Sequence, residues 1–357
     1  MKIRILLSAL LLTVATVLAS CGGGGYTPQN TPKPKTHYVL EEYFDTVCAF
    51  SSYLGDTDEE FASNCEELEN ILERYHKLFD IYYEYSGVNN LRTVNIAAGK
   101  NPVKVDRELI DFLLYCKESY TVTRGEVNVM MGSVLRLWNR CLTAEDENGM
   151  PAPRIPTEAE LAEAADHISI DSLVINEEES TVYITDPKAS IDVGALGKGY
   201  VANIVTKHLT DKGVSSYLLN VGGIVCAIGT QTNGEAWITG ITNPDRTSSD
   251  RFVEKIYIKE TSIVTSGDYH RYYYVGDVKY HHIIDKDTLM PAEYFTSVSI
   301  ITKDSALADA LSTALFTMSY EDGLELVNSL GGVDVLWVDR EYKTYMTDGF
   351  KALVINE

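Results

Sequence analysis

Apolar residues recur at helical spacing in several parts of the chain, separated by acidic and polar positions. This spacing places the apolar side chains on one side of an α-helix. It occurs over residues 59–82, 107–123, 157–168 and 305–330. The third of these segments begins with Thr157, and Glu160 follows three residues later, which is the pattern of a capping box at a helix start. The chain is therefore predicted to form four amphipathic helices.

Other segments are short, rich in β-branched residues and bounded by turn residues, as β-strands are. They cover residues 172–186, 215–229, 235–244, 251–267, 332–339 and 351–357. Gly222 and Gly223 fall inside one of these patterns, where a bulge or a close approach of another group is expected. The polar, proline-containing residues 144–156 predict a surface loop. Because helices and strands are mixed without regular alternation, we expect an α+β fold with mixed or antiparallel sheets and packed helices.

The N-terminus has the pattern of an export signal. Lys2 and Arg4 precede an apolar run that ends at Leu18, and small residues follow. The sequence Leu-Ala-Ser-Cys ending at Cys21 is similar to a bacterial lipobox, in which the cysteine is acylated; an ordinary cleaved signal or an anchor helix is the alternative. Residues 21–37 are rich in Gly, Pro and Thr and read as a flexible tether. We therefore predict a signal peptide over residues 1–20 and a body, residues 38–357, that is lipid-anchored on the extracytoplasmic face of the cell membrane.

The net charge restricts the possible partners of the protein, and the spacing of the cysteines restricts their possible roles. The formal net charge is -22, so the phosphate backbone of a nucleic acid would be repelled, and nucleic-acid partners are not expected. The five cysteines beyond Cys21 have no CxxC spacing. We expect them to be mostly buried small hydrophobic residues, with at most one disulfide.

Residues 265–287 concentrate ionisable side chains. The runs RYYYV and VKYHHII flank Gly276-Asp277, which predicts a tight β-hairpin. Alternation along a strand places His281 and His282 on opposite faces, so the two have different roles. His282, with Asp285 three residues later, suits a general base, although a hydrogen-bonded structural histidine fits the spacing as well. A zinc site formed by His270 with the other two is a further alternative that no HExxH pattern supports.

Two other segments contain candidate metal-binding and phosphate-binding residues. Asp309 and Thr313 are four residues apart on a predicted helix, so their oxygen atoms share one face and suit Mg²⁺. The alternative is that Asp309 caps the helix and Thr313 is simply packed. The segment IDVGALGKGYVAN, residues 191–203, places three glycines and Lys198 where a strand ends and a helix begins, which suits a phosphate. It matches neither a P-loop nor a Rossmann motif, and a glycine-rich turn with an exposed lysine is the alternative.

In this order, the segments resemble the ApbE family of FAD:protein FMN transferases. The resemblance rests on FDTVCAF, FDIYYEYSGVNNLRTVN, GSVLRLWN, IDVGALGKGYVAN, YLLNVGGIVCAIG, TSGDYHRYYYVGDVKYHHIID and SALADALSTALF. It covers essentially residues 38–357. It implies an enzyme that uses Mg²⁺, splits the pyrophosphate of FAD, attaches FMN by a phosphoester bond to a threonine of an exported or membrane redox protein, and releases AMP.

The resemblance also implies roles for individual residues. Asp309, Thr313 and the main-chain oxygen of Ala195 correspond to Mg²⁺ ligands. His282 corresponds to the base that deprotonates the acceptor hydroxyl, and Asp285 supports the site. The residues expected along FAD are Lys198, Thr265, Ser266, Gly267, Gly223, Tyr83 and Ser86.

The sequence departs from the family pattern at several positions. Lys286 and Leu289 stand where the family usually has proline and glycine, and Ile224 stands where an acid commonly follows the glycine pair. Asn128 and Asn203 replace expected aspartates. The loop after Asp285 and the acceptor preference are therefore expected to differ. Two other functions remain open at this point: an FAD pyrophosphatase that yields FMN and AMP, and a non-catalytic FAD-binding lipoprotein.

Overall fold

In the computed structural model of the protein, the central element is an eight-stranded antiparallel sheet. The structure describes residues 36–53, 57–231 and 234–355. The predicted signal peptide, Cys21 and nearly all of the tether lie outside these residues. Within the described ranges, none of the helices combines the length and the hydropathy that a membrane span requires.

The strands form one large sheet and three small ones. In the large sheet the order is β1-β2-β6-β7-β10-β13-β14-β15, and β3-β5-β4, β8-β9 and β11-β12 form the small sheets. The strands are β1 (Thr36–Tyr43), β2 (Thr46–Ser52), β3 (Val103–Lys104), β4 (Leu173–Asn176), β5 (Thr181–Ile184), β6 (Ser216–Val221), β7 (Ile224–Gly229), β8 (Trp237–Thr242), β9 (Phe252–Ile258), β10 (Thr261–Gly267), β11 (Tyr272–Val275), β12 (Val278–His281), β13 (Phe295–Thr302), β14 (Asp334–Asp339) and β15 (Thr344–Met346). All pairs of neighbouring strands are antiparallel. The predicted α+β class is confirmed.

Most of the predicted helices are present. The helices are α1 (Asp58–Phe79), α2 (Leu91–Ile96), α3 (Arg107–Val122), α4 (Gly132–Leu142), α5 (Glu158–Ala165), α6 (Gly197–Asp211), α7 (Ser305–Thr317), α8 (Tyr320–Leu330) and α9 (Asp348–Leu353). The capping box of Thr157 and Glu160 forms as predicted at the start of α5. The single helix predicted over residues 305–330 is wrong, because Ser319 accepts the amide of Asp322 and starts a second helix there.

The C-terminal strand prediction is wrong for residues 351–353, whereas Val354 forms an antiparallel bridge with Ile256 of β9. Residues 351–357 were expected to be extended, but Thr347 accepts the amide of Phe350 and starts the short helix α9. Phe350 is fully buried in this helix. A single buried aromatic residue therefore fixes the segment against the sheet, and the apolar run alone does not distinguish this arrangement from a strand.

Both faces of the large sheet are apolar. On β10, Val264 belongs to the main core on the helical side, whereas Ile263 belongs to a second cluster with Trp237 and Phe350. The same alternation continues on β13 and β14. Helices α1, α6 and α7 cover one face of the sheet, and the β8–β9 hairpin with α9 covers part of the other. Every residue of β13 is buried as a result.

The glycine pair at 222 and 223 forms the turn of a hairpin, so the expectation of a bulge within a strand is wrong. β6 ends at Val221, β7 begins at Ile224, and these two residues pair with each other. Both glycines have positive φ, +62° and +93°. A two-residue turn with this backbone favours glycine at both positions.

The five cysteines of the described residues, Cys48, Cys65, Cys116, Cys141 and Cys226, are all buried, and none forms a disulfide. This agrees with their expected role as small hydrophobic residues.

The packing of α6 against α7 is closest at Gly199. A Cβ atom at this position would collide with Cβ of Asp309 and with the carbonyl oxygen of Ser305. The Gly199 amide donates to Oδ2 of Asp309 at 2.8 Å, and its carbonyl accepts from Oγ of Ser305 at 2.9 Å. The two helices are therefore joined by hydrogen bonds that only a residue without a side chain permits.

We predict that Gly199→Ala lowers the free energy of unfolding by about 1–3 kcal/mol, because the methyl group forces α6 and α7 apart. Intrinsic helix propensity alone would favour alanine by about 1 kcal/mol. Urea denaturation measures the difference, and Lys207→Ala, an exposed position on the same helix, is the control with an effect within about 0.5 kcal/mol. An alanine variant more stable than the wild type would contradict the prediction.

Candidate active site

The metal and base candidates come from three elements beside the start of α6, the helix that carries Lys198. These are the loop over residues 192–196, helix α7 and the hairpin of β11 and β12. The charge of Lys198 acts on the carboxyls of Asp192 and Asp309 and on the imidazole of His282. Because such effects act over short distances, the phosphate-binding, metal-binding and base candidates share one site.

Asp309 is buried, with 5% of its surface exposed. Asp304, rather than Asp309, caps α7, so the capping alternative does not hold. Oδ2 of Asp309 accepts the amide of Gly199 in the first turn of α6, where no side chain of α6 itself caps the helix. Burial raises the pKa of Asp309, and the Lys198 charge and the Gly199 amide act in the opposite direction. Asp309 therefore caps α6 from the neighbouring helix with one carboxylate oxygen.

Thr313 lies one turn after Asp309 and is half-buried, and Ala195 is half-buried in the loop before α6. Within the part of the chain that the structure describes, no group of three His, Cys, Asp or Glu side chains is arranged to hold a metal ion. The candidate metal ligands differ from such a group, because they combine one carboxylate with a hydroxyl and a main-chain carbonyl. Such oxygen donors suit a hard cation that completes its shell with water and phosphate.

Lys198 belongs to the first turn of α6, and its Nζ donates to the carbonyl of Gly194 at 3.0 Å. The predicted helix start in the glycine-rich segment is confirmed. A Cβ atom at Gly222 would lie 2.9 Å from Cδ of Lys198, whereas Gly223 faces open space. Gly222 therefore lies against the lysine side chain, and the predicted Gly223 is exposed beside it, with its amide donating to Oδ1 of Asn220 at 2.8 Å.

The hairpin forms as predicted, with Val275 paired to Val278 across Gly276-Asp277. The two histidines differ as alternation requires. His281 is buried, its ring lies edge-on to Phe316 of α7, and Nε2 donates to the carbonyl of Ala292 at 2.9 Å. Nδ1 of His281 accepts the amide of Ile283, so both ring nitrogens are used within the protein. His281 is therefore a structural residue that holds the hairpin against α7.

His282 faces the other way and reaches solvent. Its Nδ1 lies 3.2 Å from the carbonyl oxygen of Arg271, which also accepts the backbone amide of His282. A carbonyl only accepts, so Nδ1 carries the proton and Nε2 keeps its lone pair. Protein atoms surround the ring closely enough that lost hydration, together with the charge of Arg271, lowers the pKa of His282 to about 4. The imidazole is thus neutral at pH 7, with Nε2 available as a base.

Asp285 does not orient His282 through a hydrogen bond between the two side chains. Its Oδ1 accepts the amides of Asp287 and Thr288, each at 2.8 Å. The carboxylate therefore fixes the loop that follows the hairpin, and the carbonyl of Arg271 orients the histidine instead.

The predicted flavin residues of β10 lie at the end of that strand beside α7. Oγ1 of Thr265 is 2.8 Å from Oγ of Ser299, and Oγ of Ser266 is 2.8 Å from Oγ of Ser312. A Cβ atom at Gly267 would collide with the ring of Tyr269. The two hydroxyls are thus positioned by partners on β13 and α7.

Tyr83 and Ser86 are exposed, with 69% of Tyr83 accessible. Tyr82, which the sequence analysis missed, is itself 57% exposed, and partial burial together with the charges of Asp192 and Asp45 raises its pKa while the charge of Arg271 acts in the opposite direction. Arg271 was also missed. Its charge acts on Asp192 and His282, and it has no ion pair within the described residues. A lone arginine within the histidine-rich hairpin is the signal that could have identified it.

Asp268 is a third residue that the sequence analysis missed. It is 2% exposed and directly follows the flavin segment of β10. Its Oδ2 lies 2.8 Å from Nζ of Lys279 on β12 and 3.8 Å from Nη1 of Arg340. A buried carboxylate needs such a partner, and this pair ties the hairpin to the large sheet.

The departures from the family pattern have local explanations. Lys286 lies 3.4 Å from the carboxylate of Glu126, which also accepts the hydroxyl of Thr317, and burial raises the pKa of Glu126. Asn128 bonds the carbonyl of Ile168. Asn203 bonds the helix cap Asp304. Ile224 and Leu289 are buried. The loop after Asp285 is therefore attached to the body through contacts of its own.

Leu289 adopts φ +57°, the left-handed region that favours glycine. Its carbonyl accepts from Nε1 of Trp138 at 2.9 Å, and its side chain packs in a cluster with Trp138 and Ile284. The buried side chain compensates for a backbone conformation that costs about 1–2 kcal/mol in an L-residue.

We predict that Arg271→Gln raises the pKa of His282 toward, but not up to, the ordinary histidine value near 6.5, because burial still disfavours the charged ring. The imidazole signals in a pH titration followed by NMR measure the change. Arg107→Gln is the control. It removes a charge of α3 that is paired with Asp111 and Glu177, and it should leave the pKa of His282 unchanged. An unchanged pKa in Arg271→Gln would show that the guanidinium does not act on His282.

At position 289 we predict that glycine is tolerated better than alanine. Leu289→Ala should destabilise by about 2–4 kcal/mol through lost packing, and Leu289→Gly by about 1 kcal/mol less, because glycine relieves the backbone. Urea denaturation compares the two. Ile284, buried in the same cluster without positive φ, is the matched control, and there glycine should be worse than alanine. If the glycine variant were less stable than the alanine variant at both positions, backbone strain at Leu289 would be ruled out.

Comparison with known proteins places these features in a family. The model of the ApbE family matches residues 44–337. A Treponema pallidum protein named FAD:protein FMN transferase is 28% identical over 337 residues, covering 92% of this chain and 89% of the relative. A Klebsiella pneumoniae protein of the same name is 27% identical over 284 residues, covering 79% and 83%.

Solved structures show the same fold. The ApbE protein of Thermotoga maritima matches with a TM-score of 0.77 and 25% identity, over 90% of this chain and 100% of that one. The flavin transferase ApbE of Vibrio cholerae matches with a TM-score of 0.73 and 23% identity, over 89% and 99%. The family match over most of the chain, together with the site geometry, establishes that this protein belongs to the ApbE family.

Proposed function

We propose that the protein is a Mg²⁺-dependent FAD:protein FMN transferase that modifies a threonine of an acceptor protein and releases AMP. One observation carries the proposal: His282 is neutral, donates Nδ1–H to the Arg271 carbonyl and so presents an unprotonated Nε2 to solvent. The names of the relatives from T. pallidum and K. pneumoniae support the same reaction class.

The base has a definite task in this reaction. A threonine hydroxyl is a weak nucleophile at neutral pH, so its proton must be removed as the new bond forms. A base with a pKa of about 4 is weak in the free protein. Binding of a negatively charged pyrophosphate favours the protonated imidazole and so acts against the burial and the positive charges that lower the pKa of His282 in the free protein.

The residues at the start of α6 fit Mg²⁺. Asp309 uses Oδ2 for the Gly199 amide, which leaves Oδ1 for a cation, and the Thr313 hydroxyl and the Ala195 carbonyl add neutral oxygens. Mg²⁺ commonly binds through one or two carboxylates together with substrate phosphates. When bound, the ion supplies positive charge that offsets the charge of the pyrophosphate. Lys198 and Arg271 add fixed positive charge in a protein of net charge -22.

The reaction then needs no further group from the protein. Nε2 of His282 takes the proton of the threonine hydroxyl, and the threonine oxygen bonds to the phosphorus of the FMN half of FAD. The bond between that phosphorus and the bridging oxygen breaks, and AMP leaves with the bridging oxygen. Lys198 and Arg271 offset the negative charge on the phosphates during the transfer.

We further propose that the acceptor is an exported or membrane redox protein and that the enzyme acts from a lipid anchor at Cys21 on the extracytoplasmic face. The sequence of residues 1–21 supports this location. Acylation of Cys21 followed by the tether would keep the body near membrane-bound acceptors.

The function can be tested by incubating the full-length Cys21→Ser chain with FAD, Mg²⁺ and a candidate threonine-bearing acceptor domain, followed by intact mass and nucleotide analysis. An acceptor heavier by one FMN, with AMP released only when Mg²⁺ is present, is expected. Free FMN and AMP with an unmodified acceptor would indicate a pyrophosphatase. Bound but intact FAD would indicate a flavin-binding protein.

We predict that His282→Asn lowers the transfer rate by about 10²–10⁴-fold, because the base is lost, and leaves FAD affinity unchanged. Transfer is followed by the mass of the acceptor, and FAD affinity by flavin fluorescence. His37→Asn, on β1, is the control and should retain activity. An unchanged transfer rate in His282→Asn would show that His282 is not the base. Loss of FAD binding would show instead that His282 binds the substrate.

A further inference from the structure

A groove outside the flavin site lies between α4 and α5. It has a volume of about 350 Å³, within the usual range of small-molecule sites. One wall is formed by α4 with Ser133, Arg136 and Arg140, the other by α5, and Pro187 to Ala189 contribute the floor. None of the candidate flavin or metal residues lines it. We call it the α4–α5 groove.

The acidic side chains around the α4–α5 groove already have partners. Glu160 bonds both terminal nitrogens of Arg154, at 2.6 and 2.8 Å, and these bonds lower the pKa of Glu160 to about 2. Glu163 pairs with Lys188 at 2.9 Å. The carboxylate of Asp186 lies 2.7 Å from Nδ1 of His167. The two carboxylates that line the groove, Glu160 and Glu163, are thus paired within the protein, and the charge of the neighbouring Asp166 acts on Lys188.

Two positive charges are left over. Arg136 and Arg140 are exposed and lie one turn apart on the side of α4 that lines the groove. Neither has a hydrogen bond, an ion pair or an aromatic contact with any described residue. The charge of Arg140 lowers the pKa of Glu163, but the ion pair of Glu163 is with Lys188. Like charges four residues apart on a helix cost about 0.2–0.5 kcal/mol, so their proximity is not explained by stability.

The other arginines of the described chain differ from this pair. All except Arg271 have an acidic or aromatic partner: Arg74, Arg92, Arg107, Arg124, Arg154, Arg246, Arg251 and Arg340. Arg271 lies at the candidate flavin site, where an anionic substrate supplies its counter-charge. In a chain of net charge -22, acidic partners are abundant, so unpaired arginines stand out. By the same reasoning, Arg136 and Arg140 have an external anion as their counter-charge.

The chemistry of the pair indicates which anion. A guanidinium group binds phosphate oxygens through parallel N–H donors, and two adjacent groups match the charge of a phosphomonoester dianion. The volume of the α4–α5 groove leaves room for a small organic group attached to the phosphate. We propose that the α4–α5 groove is a second anion site that binds the phosphate group of a small phosphoester, with Arg136 and Arg140 as its main contacts. The site is independent of the proposed transferase reaction.

The test titrates glycerol 3-phosphate into the full-length Cys21→Ser chain by calorimetry, with saturating FAD and Mg²⁺ to fill the flavin site. One equivalent should bind. Arg136→Gln/Arg140→Gln should weaken binding at least tenfold, equivalent to about 1.4 kcal/mol. Arg107→Gln/Arg124→Gln removes the same charge from paired, exposed arginines elsewhere and should not change the affinity. Circular dichroism and FAD affinity should be the same in all variants, which excludes misfolding.

A second arm distinguishes a free phosphoester from a lipid headgroup. Vesicles of phosphatidylglycerol and of phosphatidylcholine are sedimented with each variant. Binding to phosphatidylglycerol that depends on Arg136 and Arg140 would identify a headgroup, and binding of glycerol 3-phosphate alone would identify a soluble ligand.

Three results would overturn the proposal. The first is the absence of saturable binding of either probe. The second is binding that Arg136→Gln/Arg140→Gln leaves intact, including binding that is lost only in Arg271→Gln and therefore occurs at the flavin site. The third is equal weakening by the control pair Arg107→Gln/Arg124→Gln, which would reflect net charge alone. None of these results depends on whether FMN is transferred.

Discussion

The hydrogen bond between the Gly199 amide and the buried carboxylate of Asp309 is the interaction on which the candidate site depends. It joins α6 to α7 across 110 residues of sequence and uses one carboxylate oxygen as the cap of α6. It requires that residue 199 has no side chain. Because the contact is so close, the loop carrying Ala195, the first turn carrying Lys198 and the helix carrying Thr313 are fixed together. The metal and phosphate candidates thus depend on a single helix–helix contact.

The hairpin of β11 and β12 is attached to this arrangement by residues with no chemical task of their own. His281 packs on Phe316 of α7 and bonds Ala292, and Lys279 pairs with the buried Asp268. Both Lys279 and His281 face inward, so the next residue, His282, faces outward. Its orientation then follows from the carbonyl of Arg271, the residue just before β11. Neighbouring histidines can therefore serve different purposes, one for attachment and one for chemistry.

Much of the fold could be predicted because local signals agreed with the tertiary structure. The capping box at Thr157 and the Gly276-Asp277 turn are both local, and both formed. Strand β13 gave no such signal, because it is buried on both faces and contains serine and threonine at positions where alternation would require apolar residues. The glycine pair at 222 and 223 looked like a strand interruption because the flanking strands are equally apolar.

In the site, sequence reasoning identified the residues that spacing links and missed those that only folding brings together. Asp309 and Thr313 are four residues apart and were found together. Tyr82 was missed in favour of Tyr83, because adjacent tyrosines cannot be distinguished without knowing how Asp80 turns the chain after α1. The ion pair of Lys286 with Glu126 spans too much sequence to be inferred from either residue.

The long sequence separation of the Gly199–Asp309 contact couples ligand binding to the stability of the whole domain. A ligand held between α6 and α7 contacts helices that are joined by a hydrogen bond across 110 residues of sequence, so it binds the folded domain in preference to a partly folded chain. Binding therefore raises the global free energy of unfolding, by an amount that grows with the logarithm of the ligand concentration above the dissociation constant, rather than stabilising one loop. The cellular supply of the dinucleotide would then help to set how long the folded protein persists.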